Sequence, residues 1–159
     1  MLPDWKFITR RPAHFLAFGF GSGLSPKAPG TIGTLAAFPL YWLFSGLAPA
    51  VYLAVVAGLF AAGVRWCDVT GRALGVEDYG GIVWDEIVAF LLVLAFVPQT
   101  VWGFAAGFAL FRLFDIWKPF PIRWFDRRVG GGFGVMLDDL LAAGYALAGV
   151  KLAEKMIHG

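Results

Sequence analysis

The residues that decide the fold read Asp115-Ile-Trp-Lys-Pro-Phe-Pro-Ile122 and, shortly afterwards, Gly130-Gly-Gly-Phe-Gly-Val-Met-Leu-Asp-Asp139. An apolar segment runs directly into Asp115, and the glycine run leads into a second apolar segment that carries Asp138 and Asp139. The loop between the two segments is interrupted by prolines and is rich in basic residues. Charged groups are costly in apolar surroundings unless they are paired or bind a cation. This stretch therefore predicts a polar site at the ends of hydrophobic helices.

The composition indicates a single helical domain in a membrane. The chain has 159 residues, which is enough for one domain (1–159), and 59% of them are apolar. No charged residue occurs from Leu35 to Val64 or from Ile87 to Phe111. Uncharged apolar runs of about 18 residues or more are typical of membrane-spanning helices. We expect an all-α fold, a small helical membrane protein of about four to five apolar helices. A soluble helical protein with a very apolar core is the alternative.

The chain divides into an N-terminal loop and five helical segments. Residues 1–34 contain too many glycines and prolines for a continuous helix, and we expect them to form an ordered loop. The helical segments are expected at Leu35–Phe44, Ala50–Trp66, Asp85–Phe96, Val101–Asp115 and Val135–Met156. If these segments alternate in direction, residues 1–34, 65–86 and 112–139 lie on the same face of the protein.

Charge is concentrated on that face. It holds eleven of the 13 Lys and Arg residues: Lys6, Arg10, Arg11, Lys27, Arg65, Arg72, Arg112, Lys118, Arg123, Arg127 and Arg128. It also holds every acidic residue except Glu154. Excess Lys and Arg in short loops marks the cytoplasmic side of a membrane. Lys151 and Lys155 are the exceptions, and either their side chains extend to the opposite interface or the last helix lies partly outside the bilayer. We therefore expect a multi-pass protein whose carboxylates gather on the cytoplasmic face.

Five carboxylates on this face form a candidate metal site. They are Asp85, Glu86, Asp115, Asp138 and Asp139. Each acid at a helix start has an alternative role as a capping or first-turn residue. An acid at a helix C-terminus, as expected for Asp115, needs a positive partner, which is either Arg112 or a bound cation. As a set, carboxylates from three helix ends favour Mg²⁺, which prefers oxygen ligands and substrate phosphate.

Two further elements suit a phosphate group. The segment from Lys27 to Thr34 contains glycines at Gly30 and Gly33 and precedes an expected helix, where free amides bind anions; Thr31 or Thr34 could add a hydroxyl. On its own, this segment is better explained as a capping turn with Thr31 or Thr34 as the cap. Lys118 precedes a proline and is expected to be extended, three residues after Asp115, where it could reach a phosphate. Arg127 and Arg128 are expected to contact anionic lipids.

Several other chemistries lack their residues. Cys67 is the single cysteine, and His14 and His158 are the only histidines. Zinc ligation and a Ser-His-Asp triad therefore have no basis in this sequence. The Walker A pattern G-x-x-x-x-G-K-[ST] is also absent. Carboxylates, a divalent cation and lysine remain.

Four blocks of sequence resemble the phosphatidylglycerophosphatase A family. They are Gly21-Ser-Gly-Leu-Ser-Pro-Lys-Ala-Pro-Gly-Thr-Ile-Gly-Thr34, Trp84-Asp-Glu86, Arg112-Leu-Phe-Asp-Ile-Trp-Lys-Pro-Phe-Pro-Ile122 and Gly131-Gly-Phe-Gly-Val-Met-Leu-Asp-Asp139. The resemblance implies a Mg²⁺-dependent hydrolase of the bacterial inner membrane that converts phosphatidylglycerophosphate to phosphatidylglycerol and phosphate. It also implies an active-site set of Asp85, Glu86, Asp115, Lys118, Asp138 and Asp139. The loop before the glycine run departs from the family pattern, so no role is assigned to Asp126.

The residues and the resemblance lead to the same class of mechanism. Mg²⁺ held by the carboxylates would neutralise the phosphomonoester and orient a water, while Lys118, with Arg112 or Lys27, would stabilise the developing charge. An aspartyl-phosphate intermediate is the alternative route. The expected partners are phosphatidylglycerophosphate and membrane lipids, with no nucleic acid; the oligomeric state is open. The rival functions are a phosphotransferase on another lipid head group and a non-enzymatic cation or anion transporter, whose acids should lie mid-span.

Overall fold

The structure, a computed structural model, describes residues 2–159, and every regular element in that range is helical. Residues 2–159 contain eight α-helices and a 3-10 helix at Gly19–Leu24. The α-helices are α1 (Trp5–Ile8), α2 (Pro12–Ala17), α3 (Pro29–Phe44), α4 (Pro49–Leu74), α5 (Trp84–Phe96), α6 (Val101–Trp117), α7 (Ile122–Asp126) and α8 (Gly131–His158). The five long helices α3, α4, α5, α6 and α8 confirm the expected all-α architecture.

Helix α5 forms the centre of the bundle. Its side chains are apolar on every face, and Ile87, Phe90, Leu91 and Leu94 are fully buried. A helix that is hydrophobic all round must be surrounded by other elements, and α3, α4, α6 and α8 all pack against α5. The two acids of its first turn therefore lie on a helix that is largely buried.

Small residues let the surrounding helices approach closely. A Cβ atom at Gly132 of α8 would lie 1.9 Å from the Val64 carbonyl oxygen of α4. A Cβ atom at Gly107 of α6 would lie 3.1 Å from side-chain atoms of Val93 and Val97. Helix pairs in membranes depend on such small residues for close packing. These contacts bring α8 and α6 against the core and align their polar ends with the start of α5.

The outer surface is that of a membrane protein. Helices α4 and α8 have 26 and 28 residues and are long and apolar enough to cross a bilayer. Large apolar side chains face outward near the turns between helices, and Trp42, Leu43, Val101 and Trp102 are each more than half exposed. Tryptophan is enriched where a protein surface meets the membrane interface. The expected small helical membrane protein is confirmed.

Residues 1–34 differ from the expected loop. They contain α1, α2, the 3-10 helix and the first residues of α3. The Asp4 carboxylate caps α1 by accepting a hydrogen bond from the Phe7 amide at 2.8 Å, and Pro12 occupies the first turn of α2. Prolines and glycines therefore separate short helices here, because each helix is short enough to fit between them. His14, Ala17 and Phe18 are buried, so the segment is part of the packed structure.

Helices α4 and α8 are longer than the sequence indicated. Helix α4 continues to Leu74 and ends at Gly75, whose left-handed conformation (φ 71°) is a common helix stop. Its added turns are polar but partly buried. The buried Thr70 hydroxyl forms a 2.9 Å hydrogen bond with His14 Nδ1 of α2. Helix α8 begins at Gly131, so Asp138 and Asp139 lie well inside the helix and are not capping residues.

Lys118 is not extended as expected. It adopts a left-handed conformation (φ 49°, ψ 64°) and ends α6, where its amide donates to the Phe114 carbonyl at 2.9 Å. A following proline disfavours the right-handed helical region for Lys118, and the left-handed conformation satisfies both the proline and the helix end. This conformation turns the chain back towards α8.

Candidate active site

Three carboxylates meet at the start of α5. Asp85 and Glu86 come from the first turn of α5 and Asp139 from α8, and one oxygen of each lies within 4.8 Å of the others. Asp85 is 6% exposed and Asp139 is 3% exposed. We call these three residues the acid cluster. It forms because α5 and α8 start at the same end of the bundle and pack against each other, which places the third turn of α8 beside the first turn of α5.

The acid cluster has unused oxygens. Asp85 Oδ1, Glu86 Oε2 and Asp139 Oδ2 are buried and accept no hydrogen bond from any residue in 2–159. Buried carboxylates without partners are costly, and three of them at this separation repel one another. A divalent cation would satisfy these oxygens, and oxygen-only ligands of this kind are those that Mg²⁺ prefers. The donor set therefore fits the expected cofactor.

Arg112 partly compensates the acid cluster. Its Nη1 donates to Glu86 Oε1 at 3.3 Å and also to Asp115 Oδ2, one turn further along α6. Asp115 therefore has the arginine partner that its place in the last turn of α6 requires, and its carboxyl also faces Asp139. The Arg112 Nε is buried without an acceptor among residues 2–159. One donor of the guanidinium thus remains free beside the carboxylates.

The start of α3 closes one side of the site. A Cβ atom at Gly30 would lie 2.3 Å from Glu86 Oε1 and 3.0 Å from an Arg112 nitrogen, so any larger residue would have to displace these side-chain groups. Thr34 is fully buried, and its hydroxyl donates to the Gly30 carbonyl at 2.7 Å. Lys27 is exposed and Thr31 is half-buried, and neither side chain forms a hydrogen bond or ion pair within 2–159. Of the four, Gly30 is the residue that touches the acid cluster.

Asp138 belongs to a second group of charges. Its Oδ2 lies 3.5 Å from Lys118 Nζ, which also lies 3.1 Å from Asp126 Oδ1. Burial opposes the charge on Lys118, but these two carboxylates outweigh it and raise the pKa of the lysine. The pKa of Asp126 is lowered by a hydrogen bond with Asp138 and by a second hydrogen bond with Lys118. Lys118 is therefore held as a cation, with Asp138 Oδ1 buried and unpartnered in the described chain.

Two residues of the site carried no signal in the sequence. Asp126 contacts Lys118 across a loop with two prolines, where no helical spacing relates the two positions. Glu77 accepts a 3.0 Å hydrogen bond from the amide of Gly131, whose φ of 70° starts α8. Both contacts depend on how the loops fold over the helix ends. Glu77 fixes the start of the helix that carries Asp138 and Asp139.

Comparison with known proteins supports the resemblance noted in the sequence. The model of the phosphatidylglycerophosphatase A family matches residues 15–154, which include all the residues of the acid cluster. The chain is 49% identical over 157 residues to phosphatidylglycerophosphatase A of Escherichia coli (strain K12), covering 94% of this chain and 91% of the relative. It is 51% identical over 147 residues to the protein of that name from Haemophilus influenzae, covering 91% and 90%.

A third relative has a different name. It comes from Bacteroides thetaiotaomicron, is 38% identical over 158 residues, and carries a provisional name, phosphatidylinositol-3-phosphatase. The alignment covers 93% of this chain and 99% of the relative. No solved structure is significantly similar to the chain. The family match spans most of the sequence and both groups of charged residues, and the chain therefore belongs to the phosphatidylglycerophosphatase A family.

Proposed function

We propose that this protein hydrolyses the terminal phosphomonoester of phosphatidylglycerophosphate, releasing phosphate and phosphatidylglycerol. The observation that carries the proposal is the acid cluster, whose buried oxygens lie within 4.8 Å of one another beside Arg112. The names of the Escherichia coli and Haemophilus influenzae relatives support this substrate. A buried group of carboxylates with nearby cations is suited to binding a phosphate through a metal ion.

Asp85, Glu86 and Asp139 would hold Mg²⁺, with Asp115 and Asp138 completing the acidic wall of the site. When bound, Mg²⁺ supplies positive charge that neutralises the phosphomonoester and makes a bound water more acidic. Arg112 holds Glu86 in place through its 3.3 Å hydrogen bond, and its free Nε can donate to a phosphate oxygen. Gly30 allows the first turn of α3 to approach, so the Gly30 amide can face the same anion.

Lys118 and Asp138 would have different roles in the phosphoryl transfer. Because its pKa is raised, Lys118 stays protonated and stabilises negative charge on the phosphate oxygens and the leaving alkoxide. Lys118 lies near Asp138 Oδ2, which leaves Asp138 Oδ1 available to accept a proton from the attacking water. Attack by an aspartate in place of water would follow the same charge pattern.

The site would lie at the cytoplasmic face of the inner membrane. Both groups of charges are at the ends of α4 and α6 and the starts of α3, α5 and α8, which share one end of the bundle. Eleven of the 13 basic residues belong to the segments at this end, as positive-inside topology requires. A lipid substrate could then keep its acyl chains in the bilayer while its head group enters the site.

An assay of phosphate release tests the proposal directly. Purified protein in detergent should release phosphate from phosphatidylglycerophosphate with added Mg²⁺ and should stop on addition of a chelator. Phosphatidylinositol 3-phosphate serves as the comparison substrate because of the name of the third relative. Release from the inositol lipid alone would overturn the proposed substrate, and release that persists in chelator would overturn the role of the metal.

A further inference from the structure

A cationic groove opens beside the candidate active site. It has a volume of about 490 Å³ and lies between the end of α6 and the whole of α7. Basic side chains line it at Lys118, Arg123, Arg127 and Arg128, with aromatic rings from Trp117 and Trp124. Lys118 is shared with the active site, since its Nζ lies 3.5 Å from Asp138 Oδ2. A molecule in the groove can therefore extend directly into the site.

The arginines of the groove are not neutralised by the protein. Arg123 donates from Nη2 to the Trp117 carbonyl at 3.2 Å, and Arg128 stacks over the Trp124 ring at 4.4 Å. Arg127 is exposed. None of the three forms an ion pair with a carboxylate in residues 2–159, whereas Lys118 has two carboxylate neighbours. The groove thus presents three guanidinium groups without a carboxylate partner in residues 2–159, two of them held by neighbouring groups, and this suits an anionic ligand.

The groove also has an apolar rim. Trp117, Phe120 and Trp124 are 57%, 77% and 42% exposed, although all three are large and apolar. Exposed aromatic side chains at a membrane protein's interface contact the glycerol and upper acyl region of lipids. The groove therefore combines donors for an anion with a surface for the apolar part of the same lipid.

We propose that this groove binds the phosphodiester of the substrate while the terminal phosphomonoester occupies the acid cluster. This proposal rests on the proposed function, because it assigns the second phosphate of phosphatidylglycerophosphate to a second subsite. Arg127 and Arg128 bind the diester oxygens, Trp117 and Phe120 contact the acylglycerol, and Lys118 lies between the two phosphates. The groove makes the protein selective for lipids that carry a diester one glycerol unit away from the monoester.

The test removes two groove charges and measures binding of each phosphate separately. Arg127→Ala combined with Arg128→Ala should raise KM for phosphatidylglycerophosphate in non-ionic micelles by about tenfold, the typical effect of losing a charge-assisted hydrogen bond. Short-chain phosphatidylglycerol, which has the diester and no monoester, should inhibit the double variant about tenfold less well. Inhibition by inorganic phosphate should stay the same in wild type and variant.

The matched control is Arg11→Ala combined with Arg65→Ala. It removes the same charge from a separate basic surface between α2 and α4 and should leave KM and both inhibition constants at wild-type values. Equal effects of the two double variants would mean that the arginines act only through general attraction for anionic lipid, and would overturn the proposal. An equal loss of inhibition by inorganic phosphate would place the arginines at the monoester and also overturn it.

The proposed function and the groove fail in different ways. If wild-type protein releases no phosphate from phosphatidylglycerophosphate, the proposed function is wrong. Titration calorimetry with short-chain phosphatidylglycerol still tests the groove, because it needs no turnover. Weaker binding by the Arg127 and Arg128 double variant than by the Arg11 and Arg65 control supports the groove; equal binding overturns it.

Discussion

Asp138 and Asp139 are neighbours in the chain but have different surroundings. Successive residues of an α-helix point about 100° apart. Asp139 therefore joins Asp85 and Glu86, while Asp138 faces Lys118 and Asp126. The sequence placed both acids in one metal site, since spacing alone does not show where each side chain points. The structure places the two carboxylates in different groups of charges, and we propose that Asp139 is a metal ligand and Asp138 a proton acceptor.

This division predicts different defects for the two asparagine variants. Asp139→Asn should lose both Mg²⁺ binding and phosphate release, because it removes a ligand of the acid cluster. Asp138→Asn should still bind Mg²⁺ but should lower kcat by about 10² to 10⁴, the usual contribution of a general base. Calorimetric titration with Mg²⁺ and phosphate release measure the two effects. Equal loss of Mg²⁺ binding in both variants would show that Asp138 is also a ligand of the metal.

Removal of one repelling charge should also stabilise the metal-free protein. Asp139→Asn lowers the number of unpartnered buried carboxylates in the acid cluster from three to two. In chelator, its midpoint of thermal unfolding in detergent should therefore exceed that of wild type. With saturating Mg²⁺ the order should reverse, because only wild type gains the full binding energy. A variant that is less stable in both conditions would show that the cluster is not under electrostatic repulsion.

Substitutions of Lys118 and Arg127 should affect different kinetic parameters, kcat for the lysine and KM for the arginine. Lys118→Ala should lower kcat by about 10² or more, as for other groups that stabilise charge in the transition state. Lys118→Met should do the same, which excludes lost packing as the cause. Arg127→Ala should raise KM and lower kcat far less. Steady-state kinetics on phosphatidylglycerophosphate check this, and equal kcat values in the Lys118 and Arg127 variants would make the lysine part of a general basic surface.

At the scale of the helices, the acid cluster depends on how closely α3 approaches α5. Gly30→Ala would add a Cβ atom 2.3 Å from Glu86 Oε1. The added methyl group must displace Glu86 or tilt α3, so phosphate release should fall by at least about tenfold while helix content is kept. Gly58→Ala is the control, because nothing lies within 4 Å of its Cβ position in α4. Full activity of Gly30→Ala would show that α3 takes no part in forming the site.

The sequence predicted helices better than it predicted their ends. Apolar runs located α3, α4, α5, α6 and α8, because burial against neighbours and lipid gives a strong and continuous signal. The sequence pattern did not predict that α4 continues to Leu74 or that α8 starts at Gly131. Those turns are polar or glycine-rich, and long-range hydrogen bonds stabilise them. Thr70 bonds to His14 at the end of α4, and Glu77 accepts from the Gly131 amide at the start of α8. Contacts of this kind join residues far apart in sequence and leave no local pattern.

At the scale of the whole molecule, the site and the uncharged turns lie at opposite ends of the bundle. Gly46 is in the turn between α3 and α4, and Gly80 is in the loop before α5. Nothing lies within 4 Å of a Cβ atom built at either position, so cysteine is tolerated at both. Cys67 is fully buried, and wild type therefore serves as an unlabelled background.

These two positions test the topology. In intact cells, a membrane-impermeant thiol reagent should label Gly46→Cys, and it should label Gly80→Cys only after the inner membrane is opened. The reverse pattern would place the active site on the periplasmic side. Labelling of both in intact cells would show that the bundle does not span the membrane.

The gathering of charge at one end of the molecule was predictable, whereas the pairing of individual charges was not. Alternation of the helices places Asp85, Glu86 and Asp139 at the same end from connection lengths alone. The partners of Lys118 depend on its left-handed conformation and on the position of α7, and neither follows from composition. Gly30 was predicted at the site as a phosphate contact, and the structure places it against Glu86 and Arg112.

The burial of α5 determines the order in which the protein can be assembled. With 13 residues α5 is about 20 Å long, shorter than the roughly 30 Å hydrocarbon core, and it begins with two acids. A segment of this kind inserts poorly into a bilayer by itself. We therefore expect α5 to insert together with α6 as a helical hairpin. Its main neighbour α8 is synthesised after α3, α4, α5 and α6. Until residues 131–158 have been synthesised, Asp85 and Glu86 lack Asp139, and a nascent chain can carry neither a complete site nor a closed core.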